Sequence, residues 1–375
     1  MILNKIRIKI GRLRNKTAGD PEKVKKILIL GRTKFKNYGD PIIADCCKYL
    51  IEKAAVGAHV NVEARVVDIL MKDTEKMSQL IRKYDVFVFP GGGLNQQKLN
   101  RHILGLYEQM EKKENVSFWY NAVGILKDRP NPKNEALLEK MFNHPMVKQI
   151  TTRGDYPQTL KYLHRDPAYP VELVLDPAIW AGEVYDICRN KRSDIIGLGV
   201  IRGNIFSRQS YANTEGIHDE EIFKTYTGII EELEKRGMKW QLFTNGLAED
   251  YAFAEELLSR TGFDKKIYLG ENVKGNKDLV KKISGYKGII AARLHANIIA
   301  TSLDIPSVAL VWNDKMNCFA EIIGCKERYL GTEYFYQPEY IVDMLEKGLS
   351  EGYNVKRIRN MKKSTMKTIE NIVRS

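Results

Sequence analysis

Short apolar runs bounded by Gly or Pro recur along the whole of this chain, with longer amphipathic stretches between them, and that alternation is what most restricts its fold. Runs of this kind read as buried strands. Intervals with helical periodicity then cross over between them, so the pattern specifies parallel sheets with helices packed on both faces. In the first half, strands are expected at 26–30, 62–67, 86–89, 117–120, 148–151 and 172–175, with helices such as 42–53 and 134–142 in the intervals. The pattern lapses between 181 and 194 and then resumes. Strands follow at 195–201, 239–243, 266–269, 288–291 and 307–311, with helices at 220–236, 251–259, 277–283 and 294–302.

A chain of 375 residues exceeds the size at which one apolar core stops growing. The expected organisation is a basic extension over 1–22, a first Rossmann-like domain over 23–185, a second Rossmann-like domain over 186–335, and basic helices over 336–375 that pack back on the first domain. Two doubly wound domains place a cleft between the carboxyl ends of their sheets, where α/β proteins bind ligands.

The formal net charge of +13 calls for an anionic partner. Lys and Arg concentrate at both ends, but no zinc-finger, RNA-recognition or helix-turn-helix pattern accompanies them, so nucleic acid is not the expected partner. Ile2, Leu3, Ile6, Ile10 and Leu13 share one face of a helix with basic residues around the rest, which suits an anionic membrane surface. Cys46, Cys47, Cys188, Cys318 and Cys325 form no regularly spaced framework, and neither a signal peptide nor a spanning stretch is recognisable. A cytoplasmic protein, peripheral on the inner membrane face, is expected. With no HExxH, HxH or Cys/His cluster, so is a metal-independent reaction without a resident cofactor.

The segment over 288–306 carries the most chemistry. A strand ends near Ala291 and a helix opens near Leu294, so Arg293 and His295 fall where free N–H groups and the helix dipole favour an anion. Arginine there can grip a carboxylate or phosphate, and histidine can move a proton. Lys315, after the strand ending at Trp312, and Arg202, ending the first strand of the second domain, should emerge at the same sheet edge. In the first domain, Asn37-Tyr38-Gly39-Asp40 and Pro90-Gly91-Gly92-Gly93-Leu94-Asn95 are strand-to-helix turns that offer backbone donors. Thr152-Arg153-Gly154-Asp155 and Asp176-Pro177-Ala178 follow the next strands, where Asp155 reads as a helix cap and Asp176 as a turn former.

In this order and spacing, these motifs resemble the polysaccharide pyruvyltransferase family over residues 26–324. The resemblance implies a GT-B-like fold and transfer of pyruvate from phosphoenolpyruvate, a co-substrate, to hydroxyls of a sugar or lipid-linked glycan, forming a cyclic ketal. It further implies that Arg293, Leu294 and His295 contact the donor with Arg202 and Lys315. His295, Arg293 and Lys315 would carry catalysis, and Gly39, Asp40, Gly91, Gly92, Gly93, Asn95, Asn121 and Arg153 the acceptor contacts. Two departures stand out, Gly154 inserted between Arg153 and Asp155, and Asn121-Ala122-Val123 where the family is richer in glycine. The alternatives are a GT-B glycosyltransferase using a nucleotide sugar, for which Glu271 is a poor ribose ligand, and a non-catalytic scaffold of the same fold.

Overall fold

The computed structural model describes residues 24–125, 131–202 and 217–375, so the expected 1–22 extension lies outside the described residues. The first sheet contains β1 (Lys25–Gly31), β2 (Val62–Asp68), β3 (Val86–Phe89), β4 (Gly92–Gly93), β5 (Ser117–Gly124), β6 (Val147–Thr152) and β7 (Glu172–Leu173). Their order is β2-β1-β3-β5-β6-β7, with β4 paired to β5, and every pairing is parallel. The chain passes to the second sheet between Tyr185 and Ile196. There β8 (Ile196–Gly199), β9 (Trp240–Phe243), β10 (Gly288–Ala291), β11 (Ser307–Leu310) and β12 (Tyr329–Leu330) run in the order β12-β11-β10-β8-β9, again parallel.

Parallel strands are buried on both faces, and that is why β3, β8, β10 and β11 read as unbroken apolar runs. One face of the first sheet packs its own core around Phe87, Phe118, Tyr120 and Phe142. The other carries the helix Gly39–Ala58, and its core runs without a break through Pro177–Trp180 into the second domain.

Three expectations need correction. Residues 266–269 are not a strand: Lys265–Tyr268 is one helical turn capped by Asp264, whose carboxylate accepts from the Lys266 N–H at 2.8 Å. The sheet ends at β9, this run adds no strand to its free edge, and Ile267 stays exposed. The expected strand over 172–175 shrinks to Glu172–Leu173, while β12 is too short to show periodicity. Only one of the two C-terminal helices returns to the first domain. Pro338–Glu351 stays on the second, with Pro338 against Gly228 and Leu345 against Gly288.

The helix Val355–Arg374 crosses the molecule. Arg357 donates to the Ile322 carbonyl of the second domain, Thr365 Oγ1 accepts from the Leu175 N–H, and Gln149 donates to the Thr368 carbonyl. Thr365 is fully buried, so Thr365→Val strands the Leu175 N–H in an apolar setting. The expected cost is about 1–3 kcal/mol, read as a lower urea midpoint with unchanged slope.

Candidate active site

The carboxyl ends of the two sheets face each other, and His295 is where they meet. It occupies the first turn of the helix Leu294–Ser302, is 8 % exposed, and lies against the backbone of Gly39. A Cβ at Gly39 would fall 2.3 Å from the ring Nδ1, so this turn must be glycine for the imidazole of the other domain to seat. Around the ring stand Asp40 Oδ1, 3.9 Å from Nδ1, Asp176 Oδ2, 3.8 Å from Nε2, and Arg153 Nη1, 3.5 Å from Nε2. The arginine facing Nε2 favours the tautomer that carries its proton on Nδ1, toward Asp40.

Arg153 follows β6, is buried, and forms an ion pair with Asp176, which follows β7. Asp176 Oδ1 accepts from the Ala178 N–H at 2.8 Å and opens the next turn, which leaves Oδ2 for Arg153. Sequence reasoning gave Asp176 only the turn; its second oxygen belongs to the cluster, and the signal was its place after a strand at the shared sheet edge. Asp155 caps the next helix, accepting from the Gln158 N–H at 2.7 Å.

Arg293 precedes the same helix as His295 and is 9 % exposed. Its Nε and Nη2 both donate to Oδ2 of the fully buried Asp250, with Nε at 3.0 Å, so its remaining nitrogen is the one available to a ligand. Asp250 Oδ1 also accepts from the Arg202 N–H at 3.4 Å. Burial raises the Asp250 carboxyl's affinity for a proton, and Arg293 opposes that shift. Lys315, half-buried in the first turn of Asp314–Ile323, lies 5.2 Å from the centre of the Trp312 ring. The carboxamide of Asn313, just ahead of it, is buried and finds no partner for either polar atom among the described residues.

These charges shape one another. Burial and then Arg153 push His295 down from 6.5 to about 3, against Asp40, so the imidazole is neutral across the physiological range. Burial and Arg153 bring Lys315 down to about 8. Arg32, 3.6 Å from Asp40, joins Arg153, Arg202, Arg293 and Lys315, which gives five cations to the three carboxylates Asp40, Asp176 and Asp250. A surplus of positive charge in a desolvated cleft selects an anion.

The expected residues therefore divide. His295, Arg293, Lys315, Arg202, Gly39, Asp40 and Arg153 share the cleft, whereas the Leu294 side chain is buried in the apolar core, which corrects its expected donor contact. Gly91 and Gly92 instead take the positive φ that their turn needs, and Gly92–Gly93 pairs with Val123–Gly124, whose Gly124 abuts Arg153 Nε. Asn95 is an exposed neighbour of Gly93. Asn121 does not reach the cleft: it is 1 % exposed, donates to the Pro90 carbonyl at 3.1 Å, and accepts from Thr151 Oγ1. It braces the glycine turn from beneath, so the expected acceptor contact is corrected to a supporting one.

The family model for polysaccharide pyruvyl transferase matches residues 37–314, the span that holds these elements up to the residue before Lys315. The chain belongs to the polysaccharide pyruvyl transferase family. No curated protein matches it in sequence. Among solved structures it is similar to the UDP-GlcNAc 2-epimerase of Neisseria meningitidis bound to UDP-GlcNAc, with 12 % identity, 94 % of this chain and 100 % of that one covered, and a TM-score of 0.54. It is also similar to S. aureus MnaA in a co-structure with UDP, at 13 % identity, 90 % and 91 % coverage and a TM-score of 0.54. At such identity the likeness establishes the GT-B-like fold, two facing parallel-sheet domains, for this pyruvyl transferase family member.

Two outcomes follow from the geometry. Gly39→Ala forces the imidazole to move by about 1 Å to restore contact distance, and a misplacement of that size costs ~10²-fold in turnover. Steady-state assays of the folded variant check this. Between pH 6.5 and about 3 an unfolded chain binds a proton on His295 that the folded one refuses. Stability should therefore fall as pH drops from 6.5, and His295→Gln should flatten that fall, measured as urea midpoints at about pH 7.5 and about pH 5.

Proposed function

We propose that this protein transfers pyruvate from phosphoenolpyruvate to two hydroxyls of a sugar in cell-surface polysaccharide or glycolipid assembly. The observation that carries the reading is the buried histidine among surplus cations at the junction of both domains. Phosphoenolpyruvate brings a carboxylate and a phosphate, and Arg293, Arg202 and Lys315 offer donors to both at the second sheet's edge. Side-chain cations thus fill the role a metal would take, and the proposed reaction needs no resident cofactor.

In the proposed sequence the donor's negative charge offsets the field of Arg153 and Lys315, so the neutral His295 gains basicity when the donor binds. His295 takes the proton of the first sugar hydroxyl and delivers it to the donor's methylene carbon, which becomes the methyl group, while the hydroxyl oxygen bonds to the central carbon. The carbon–oxygen bond to phosphate then breaks, with Lys315 and Arg202 on the leaving oxygens. The second hydroxyl closes the ketal, and its proton leaves with phosphate. No net proton is consumed.

Calorimetry decides the donor. Phosphoenolpyruvate should bind and Arg293→Ala should abolish it, whereas binding of UDP- or GDP-sugars without phosphoenolpyruvate would replace this reading with the glycosyltransferase one. Glu271, the ribose candidate of that alternative, lies exposed in a pair with Lys274. His295→Ala should lower turnover by ~10²–10⁴. If Lys315 must be charged, kcat/KM for the donor falls as pH rises through about 8, and Lys315→Arg moves that limb upward.

The proposal extends to place. No helix among the described residues is long and apolar enough to cross a membrane. Lys356, Arg359, Lys363 and Lys367 line one exposed face of Val355–Arg374, while Thr365, Thr368, Ile369 and Ile372 bury the other. With the basic 1–22 segment, this face suits the anionic inner membrane surface, where lipid-linked acceptors are built. Charge reversal at those four positions should reduce co-sedimentation with anionic vesicles at least tenfold, and undiminished binding would remove the helix from this role.

A further inference from the structure

Beside the anion pocket lies a second set of buried polar atoms with a different chemistry. Asn245 follows β9, is 1 % exposed, and its Nδ2 has no partner among the described residues. The β8–β9 register pairs Gly199 with Phe243, which brings Arg202 alongside the Asn245–Gly246 turn, and Arg202 Nε is likewise buried and unpartnered. From the facing domain comes Asn37, whose buried Oδ1 is unpartnered too. The Tyr38 N–H donates to the Asn245 carbonyl at 3.0 Å, and a Cβ on Gly246, at φ +109°, would fall 2.7 Å from the Lys36 carbonyl oxygen. The two loops are therefore in contact, and Asn37, Asn245 and, on the strand next to β9, Arg202 each bring an orphaned atom to this seam of the cleft.

We propose that this seam is a sugar subsite, in which Asn245 Nδ2 and Arg202 Nε donate to ring hydroxyl oxygens and Asn37 Oδ1 accepts from a hydroxyl. Two donors and one acceptor suit adjacent hydroxyls, each of which both donates and accepts. They do not suit a phosphate or carboxylate, which the oxygen of Asn37 would face with like charge. Native proteins rarely leave such atoms unpaired in the interior, and a ligand that pairs them supplies the missing hydrogen bonds. Arg202 stands between this seam and Arg293, so a ring held here lies next to the donor pocket. The inference rests on the pyruvyl-transfer reading only in calling that ring the acceptor; the subsite itself does not depend on the donor.

The test uses the full chain and saturation-transfer NMR with methyl β-galactopyranoside and methyl α-glucopyranoside as probes, beside phosphoenolpyruvate calorimetry on the same samples. Transfer to at least one glycoside is expected, reduced fivefold or more in both Asn245→Leu and Asn37→Ala, with phosphoenolpyruvate affinity unchanged within twofold. The melting temperature of Asn245→Leu should not fall, because its Nδ2 makes no bond among the described residues to lose; a fall of several degrees would mark Asn245 as structural and overturn the proposal. Absence of transfer to the unmodified protein, or equal transfer in both variants, would overturn it as well. Glycoside binding through Asn245 without phosphoenolpyruvate binding would uphold the subsite and discard the pyruvyl reading, so the two fail separately.

Discussion

The molecule is organised around the contact of one imidazole with one glycine. His295 can lie in the cleft only because Gly39 has no side chain, and that contact brings the first turn of a second-domain helix against the first turn of a first-domain helix. Everything charged in the site is placed relative to it. Arg153 and Asp176 come from adjacent strands of the first sheet, Arg293 and Lys315 from adjacent strands of the second, and their side chains converge because parallel strands all end at one edge. The apolar core that runs between the domains through Pro177–Trp180 holds the two edges in register.

That arrangement sets like charges against one another. Cations gathered in a desolvated cleft repel one another, and the strain shows as an imidazole that refuses a proton and a lysine whose hold on its own is weakened. Asp176 and Asp250 each neutralise one arginine, and Asp250 also fixes the backbone at Arg202, so the two cations at the heart of the second sheet's edge share one carboxylate as their frame. An anionic ligand relieves the remaining excess. Binding and proton affinity would thereby be coupled: an anion that offsets the field raises the proton affinity of the imidazole.

The strands could be read from sequence because burial on both faces leaves an unbroken apolar run, and His295, Arg293, Lys315 and Arg202 because they sit just past such runs, where α/β folds bind ligands. What escaped depended on partners distant along the chain. Asn121 has the composition of a polar ligand contact, yet its hydrogen bonds go inward to Pro90 and Thr151. Ile267 has the composition of a strand, yet no neighbouring strand extends beyond β9. Asp250 lies in a helix 43 positions before Arg293, and nothing local distinguishes it from the surface acids Glu249 and Glu255. Periodicity reports which face is buried, not which buried group it will meet.

The same limit bears on what the fold can say about chemistry. A UDP-GlcNAc 2-epimerase bound to UDP-GlcNAc and a protein solved with UDP share this fold at 12 % and 13 % identity, so two facing sheets and a cleft do not select a reaction. Selection has to come from side chains at the strand ends, and here these segregate along the edge of the second sheet. Cations and the histidine gather past β10 and β11, opposite Arg153 and Asp176, while the neutral Asn245 lies past β9, opposite Asn37, with Arg202 past β8 between them. On the proposed reading, the charged end of this cleft would take an anionic small molecule and the neutral polar end a polyhydroxyl one, and the order of the strands would set the distance across which they meet.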